Sequence, residues 1–202
     1  VVVKGNFVGV VCEREEQAIR AARNLKVTWD GSQILPPMSE LYAALRKIPG
    51  NDREPAKTGD VEGALASAAK TFNATYQWPF QLHASIGPSC GLAHVKDDEA
   101  TIWSGTQGAH QLRPTIAQLL GISPANVRVV FVEASGCYGH NGADDAAADA
   151  VLLSQAIGKP VRVQWMRHDE HGWEPLGPAM VMEVRGGVDS QGNVVGWDYQ
   201  AW

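Results

Sequence analysis

Cysteine is scarce. Cys12, Cys90 and Cys137 are the only three in 202 residues; they lie far apart, and no CxxC occurs. An odd, scattered set excludes a disulfide framework and a thiolate zinc site. Cys12 and Cys90 read as small buried apolar side chains. Basic charge is also short: Lys and Arg number 17 against 22 Asp and Glu, a formal charge of −5. That argues against sequence-independent nucleic-acid binding, which needs clustered cations to displace counterions. The longest like-charge block, Asp97-Asp98-Glu99, reads as an acidic turn. No apolar run approaches the roughly 20 residues of a membrane helix. Charged residues at 19% are too few for a disordered chain, and apolar residues at 45% suffice for a core. The phosphate-binding patterns GxGxxG and GxxxxGK[ST] are missing, and so is the G-x-S-x-G elbow that would make Ser135 a nucleophile.

The chain opens on Val1, not Met, and stops at Gln200-Ala201-Trp202, inside what reads as a strand. No charged leader with an apolar stretch is visible. These ends suggest a piece of a longer polypeptide, with any leader upstream and the choice between cytoplasm and periplasm left open.

Residues 1–30 read as strand, helix, strand. Phe7–Val11 is a short β-branched run, and Ala18, Ala21, Ala22 and Leu25 share one face of a helix over Glu13–Leu25. Lys26–Trp29 alternates like a strand. So small a unit cannot bury its own core and is expected to dock on something outside this chain. Residues 31–57, with Pro36-Pro37, Pro49-Gly50 and Pro55, read as a connecting arm in which Ser39 caps a short helix through Leu45.

Residues 58–202 read as one further domain. Asp60 is a cap for a helix over Val61–Lys70. Phe72, Ala74, Tyr76 and Trp78 alternate as a strand with one buried face. Strands are expected at Cys90–Val95, Ala100–Ser104, Val127–Val132, Val161–Trp165, Ala179–Gly186 and Val194–Trp202. Helices are expected at Leu112–Leu120 and Asp144–Ile157, the second stopped by Gly158-Lys159-Pro160. Strands and helices mix without strict alternation, so the fold class is α+β, mixed sheets with packed helices.

Four segments carry chemistry-bearing residues. Ser135-Gly136-Cys137-Tyr138-Gly139-His140-Asn141-Gly142 is a glycine-rich turn between a strand and a helix. It reads either as a tight turn or as a loop that lets a ligand approach the main chain near a helix N-terminus. Trp103–Gly108 ends another strand and carries Gln107, a side chain with one acceptor and two donors. Trp78–Pro88 gathers aromatic residues, His83 and a Gly-Pro turn, and reads first as a buried loop with a satisfied histidine. His168 and His171 are three apart and would share a helix face as zinc ligands. No third ligand is evident and Arg167 adjoins them, so a hydrogen-bonded surface loop is preferred there and no metal site is assigned.

In order and spacing these segments resemble the molybdopterin-binding large subunit of the xanthine oxidase family, in the branch of the nicotinate dehydrogenases and isoquinoline oxidoreductases. Residues 1–29 look like the tail of that family's hammerhead domain, and Gly59-Asp60-Val61 like the start of its first molybdenum-cofactor domain. Ser104-Gly105-Thr106-Gln107 is similar to its S-T-Q loop, and Gly136-Cys137-Tyr138-Gly139 stands where it has G-G-F-G.

The resemblance implies that Gln107 hydrogen-bonds an oxo ligand of molybdenum, as the catalytic residue of this stretch. It implies that Gly136, Cys137, Tyr138 and Gly139 hold the cofactor, with His140 and Asn141 toward substrate. The implied activity is hydroxylation of an aldehyde or N-heteroaromatic carbon, with oxygen from water. Electrons would pass to an iron–sulfur small subunit and on to a cytochrome or flavin acceptor. The implied cofactor is molybdenum-molybdopterin, in its cytosine dinucleotide form, present in the full subunit and not expected in this stretch alone. The family's G-G-F-G-G-K-E acidic residue is replaced by Gly142, and Gly87-Pro88 replaces the acidic residue of H-x-x-x-E-P. Both departures turn the reading away from a purine. The family's general-base glutamate lies outside this chain. The alternative is a scaffold or assembly domain that keeps the fold without catalysis.

Overall fold

A computed structural model describes residues 1–31, 35–134, 136–140 and 145–202. They form β1 (Val2–Lys4), β2 (Phe7–Gly9), α1 (Glu15–Asn24), α2 (Leu41–Leu45), α3 (Val61–Ser67), β3 (Lys70–Trp78), β4 (Cys90–Lys96) and β5 (Glu99–Ser104). There follow α4 (Ala109–Leu120), β6 (Val127–Phe131), α5 (Asp145–Ile157), β7 (Val161–Gln164), α6 (Arg167–Trp173), β8 (Met180–Val188) and β9 (Val194–Ala201). The mixture of helices and mixed sheets is the α+β class the sequence predicts. Packing groups them into two units that are not sequential halves: Val1–Trp29 with Leu82–Leu176, and Asp30–Gln81 with Gly177–Trp202. The cut after Trp29 falls within one residue of the expected division at 30, and no cut falls at 57.

The first unit is built on a four-stranded sheet of order β6-β5-β4-β7, with β5 and β6 parallel and the other pairs antiparallel. Alternation in β4 and β5 sends Ala93, Val95, Ala100 and Ile102 to one face. There they meet Ile116 and Leu120 of α4 and Ala147, Ala150 and Val151 of α5. Small residues let α5 lie close. A Cβ on Gly91 of β4 would sit 2.6 Å from the Ala147 Cα. Ser154, wholly buried, accepts from the Val95 amide at 2.8 Å and donates to the Lys159 carbonyl at 2.7 Å. Gly158, at φ +64°, ends α5 as expected.

The N-terminal segment docks inside this chain. β1 and β2 form a hairpin, Gly9 lies against Leu153 of α5, and Lys4 Nζ donates to Gln155 at 2.9 Å. α1 is held by an ion pair between Glu15 and Arg162. Lys26–Trp29 is not a strand, because no neighbouring strand pairs with its backbone. Cys12 and Cys90 are exposed, not buried. Cys90 falls on the β4 phase opposite the buried Gly91, Ala93 and Val95.

The second unit is a three-stranded antiparallel sheet, β3-β8-β9. The helix α3, capped by Asp60 as expected, approaches one face, where Gly187 and Gly196 face Leu65 and its neighbours. The opposite face carries Phe72, Tyr76, Trp78, Trp197 and Tyr199, all exposed. The expected buried face of β3 is therefore uncovered, since α3 sits on the glycine side. α2 forms where a helix is expected. Its start is a 3-10 turn over Met38–Glu40, and Ser39 makes no cap.

Candidate functional site

The parallel pairing of β5 and β6 puts their C-terminal ends at one edge of the first unit's sheet. The loop after each strand leaves from that edge, the usual place for ligands on a sheet with parallel strands. The Val132 amide bonds the Ser104 carbonyl at 3.0 Å, and a Cβ on Gly105 would stand 2.5 Å from that of Ala134. The Gln107 loop and the glycine-rich loop are thus side by side.

Gln107 is exposed just before α4, after the buried Thr106. Thr106 Oγ1 accepts from the Gly108 amide at 3.0 Å and so shapes the bend that presents Gln107. In the second loop Gly136 (φ +95°), Tyr138 (φ +55°) and Gly139 (φ +119°) are all left-handed. Such a conformation is strained for a tyrosine. Left-handed residues of this kind also occur in anion-binding nests. The Tyr138 and Gly139 amides have no hydrogen-bond partner among the described residues. Tyr138 itself is exposed, with its ring over Gly136. Ser135, Asn141, Gly142 and Asp144, which the sequence also singled out, lie outside the described residues.

His140 turns inward. It is 1% exposed, its amide closes the turn onto the Cys137 carbonyl at 3.1 Å, and its ring lies 5.6 Å from that of Trp165. Its Nδ1 lies 2.9 Å from Glu170 Oε2, 3.7 Å from Glu174 Oε2 and 3.3 Å from Ser89 Oγ. Its Nε2 faces Asp145 Oδ2 at 3.5 Å. The second oxygen of each glutamate accepts a backbone amide: Glu170 from Ser89, Glu174 from His83. Arg167 donates to the Ser85 and Ile86 carbonyls, and Ser85 Oγ to that of Cys137 at 3.1 Å. Buried polar groups thereby fasten segment 83–89, the turn 136–140 and α6 together.

Burial raises the pKa of Asp145 above 3.8, opposed by its hydrogen bond and charge contact with His140. Burial also raises Asp149 to about 6, helped by the negative charge of Asp145 and opposed by a hydrogen bond with Trp165.

Residues 167–173 are helical, not the loop that was expected. The Asp169 carboxylate accepts from the Met166 amide at 2.8 Å and starts the turn. The helix does not make His168 and His171 a ligand pair: among the described residues the group able to hold a metal ion is His140, Glu170 and Glu174. Sequence reasoning passed over both glutamates. Their signal was the i, i+4 spacing of two acids, which in a helix share one face. His83 is less satisfied than expected: its Nδ1 has no hydrogen-bond partner among the described residues and stands 3.5 Å from Glu174 Oε1.

An α+β unit with two loops side by side at one sheet edge is a common setting for a ligand site. The chain belongs to the molybdopterin cofactor-binding domain family, matched over residues 45–202, and with it to the xanthine oxidase family of molybdopterin-binding subunits. It is 50% identical over 201 residues to a subunit of nicotinate dehydrogenase from Pseudomonas putida, covering 99% of this chain and 17% of that protein. It is 27% identical over 196 residues to the aldehyde oxidoreductase molybdenum-binding subunit PaoC of Escherichia coli K12, covering 96% of this chain and 26% of that protein. The chain therefore spans about a quarter or less of the length of these relatives. Its fold is that of quinoline 2-oxidoreductase from Pseudomonas putida 86, with a TM-score of 0.71 at 16% identity, covering 93% of this chain and 25% of that one. It is likewise that of the Desulfovibrio gigas aldehyde oxidoreductase, with a TM-score of 0.67 at 22% identity, covering 72% of this chain and 16% of that one.

Proposed function

We propose that this chain forms part of the cofactor-facing wall of a molybdenum hydroxylase large subunit acting on an aldehyde or N-heteroaromatic carbon. The observation that carries the reading is the juxtaposition of the Gln107 loop and the 136–140 turn, with Tyr138 and Gly139 amides on the same sheet edge that have no partner among the described residues. Donors of this kind fit the oxo ligands and phosphate of a molybdopterin group. In this reading Gln107 donates its side-chain amide to an oxo ligand, and Tyr138 and Gly139 donate main-chain amides beside it. Bound there, the group would supply two-electron oxidation with water as the oxygen source, while the protein orients and polarises. The cytosine dinucleotide form and an iron–sulfur partner as electron acceptor belong to the same proposal. The 50% identity to a nicotinate dehydrogenase subunit supports an N-heteroaromatic substrate over a purine.

The test is Gln107→Ala in the complete enzyme. Losing one preorganised donor should lower kcat about 10–1000-fold, with molybdenum content unchanged. Gln111→Ala, an exposed neighbour on α4, should have little effect. Equal activity of wild type and Gln107→Ala at full cofactor occupancy would remove this residue from the site.

A further inference from the structure

We propose that His140, Glu170 and Glu174 form a structural site for a divalent transition ion, zinc by ligand type. Three buried side chains from two segments converge. His140 is 1% exposed, and the side chains of Glu170 and Glu174 are 0% exposed. One ligand atom from each lies within 4.8 Å of the others. Among the described residues Glu170 Oε2 and Glu174 Oε2 have no hydrogen-bond partner, although both face the same imidazole nitrogen.

The histidine's surroundings favour a cation between these atoms. Asp145 stands at the Nε2 side of the ring, 3.5 Å away. Nε2 makes no hydrogen bond among the described residues, but a carboxylate on that side favours the proton there over Nδ1 and leaves the Nδ1 lone pair facing the two glutamates, the way ligating histidines are oriented. Three lone pairs then meet in a buried space, which is repulsive unless a positive ion lies among them. A proton on Nδ1 could serve only one of the two carboxylates well, at 2.9 Å against 3.7 Å. The guanidinium of Arg167, the cationic side chain of this helix, is committed to the Ser85 and Ile86 carbonyls. Even an imidazolium would neutralise one of two buried carboxylates, whereas a divalent ion balances both.

The donor set decides the kind of ion. One imidazole nitrogen and two carboxylate oxygens suit zinc or manganese. Calcium takes six to eight oxygens, more than this cluster supplies. The ion would be structural: it would tie α6 to segment 83–89 and to the 136–140 turn.

The experiment uses the complete molybdenum-binding subunit with its partner chains. After loosely held ions are stripped on a chelating resin, mass spectrometry counts zinc, manganese, calcium and magnesium per copy of the large subunit. Close to one equivalent of zinc or manganese is expected in the wild type and in His168→Ala. Less than about 0.2 equivalent is expected in Glu170→Gln/Glu174→Gln. X-ray absorption at the bound metal's edge should show a nitrogen and oxygen shell at about 2.0–2.2 Å. A wild-type protein with less than half an equivalent of either ion overturns the proposal, whether or not the variants fold. So do sulfur ligands in the shell, calcium or magnesium in place of a transition ion, or full retention of the metal by the double variant.

Discussion

Replacing Gly91 by alanine tests how closely α5 is seated on the sheet. The added Cβ would lie 2.6 Å from the Ala147 Cα, 2.7 Å from the Ala147 nitrogen and 2.8 Å from the Ala146 carbonyl carbon. Ordinary carbon contacts lie at about 3.5–4.0 Å, so the helix and the strand must part by about 1 Å. β4 cannot retreat, because β5 and β7 hold it on both sides. The opposing atoms are main chain, so no rotamer change relieves the clash. Moving α5 outward loosens Ala150 and Val151, both fully buried against β4 and β5. A gap of 0.5–1 Å forfeits a quarter to a half of each contact's dispersion energy. Overpacking typically costs ~1–3 kcal/mol, and a main-chain clash belongs at the upper end, near 3 kcal/mol. For a chain of this length that lowers Tm by roughly 6–12 °C. Thermal unfolding followed by circular dichroism measures the change, with Gly50→Ala as control, since nothing lies within 4 Å of a Cβ there. If Gly91→Ala falls within about 0.5 kcal/mol of wild type, the close seating of α5 is refuted.

Two further changes probe the same helix. Asp149 is raised from 3.8 to about 6 by burial, so its favourable share of stability is present below about pH 4 and lost as pH rises through 6. At 1.36 kcal/mol per pH unit the ceiling is about 3 kcal/mol. Solvent access to this half-buried group brings the expected gain of Asp149→Asn to ~1 kcal/mol at pH 7.5, vanishing near pH 4. Urea titrations at the two pH values would show it, and a gain of equal size at both would contradict the assignment. Ser154→Ala strands the Val95 amide and the Lys159 carbonyl, and should cost about 1–3 kcal/mol in the same titration. A neutral result would mean that water replaces the hydroxyl.

Many regular elements of both units were legible because their patterns are local. Alternation in β4 and β5, the glycine stop after α5 and the Asp60 cap on α3 each act within a few residues. What escaped depends on distant partners. Nothing within residues 1–9 says that Gly9 will rest on Leu153, and nothing in β3 says that its aromatic face will stay uncovered while α3 takes the glycine side. In the candidate site the two loops could be named from their residues. Their adjacency follows from the β5–β6 pairing, which a sequence does not display. Glu170 and Glu174 went unread because charged residues are expected outside. Only the fold reveals that backbone amides of segment 83–89 and a histidine from the turn await them.

The interleaving of the two units bears on biosynthesis. β3 leaves the ribosome before its partner β8, which pairs Val188 with Lys70 from 118 residues further along the chain (188 minus 70). At about 5–20 residues per second, the nascent strand waits roughly 6–24 seconds with Phe72, Tyr76 and Trp78 unpaired. Residues 82–176 are synthesised meanwhile, and the sheet of the first unit, whose four strands all fall in that stretch, can form before β8 arrives. The second unit therefore closes last. During translation its aromatic strand is the segment on which holdase chaperones and aggregation compete.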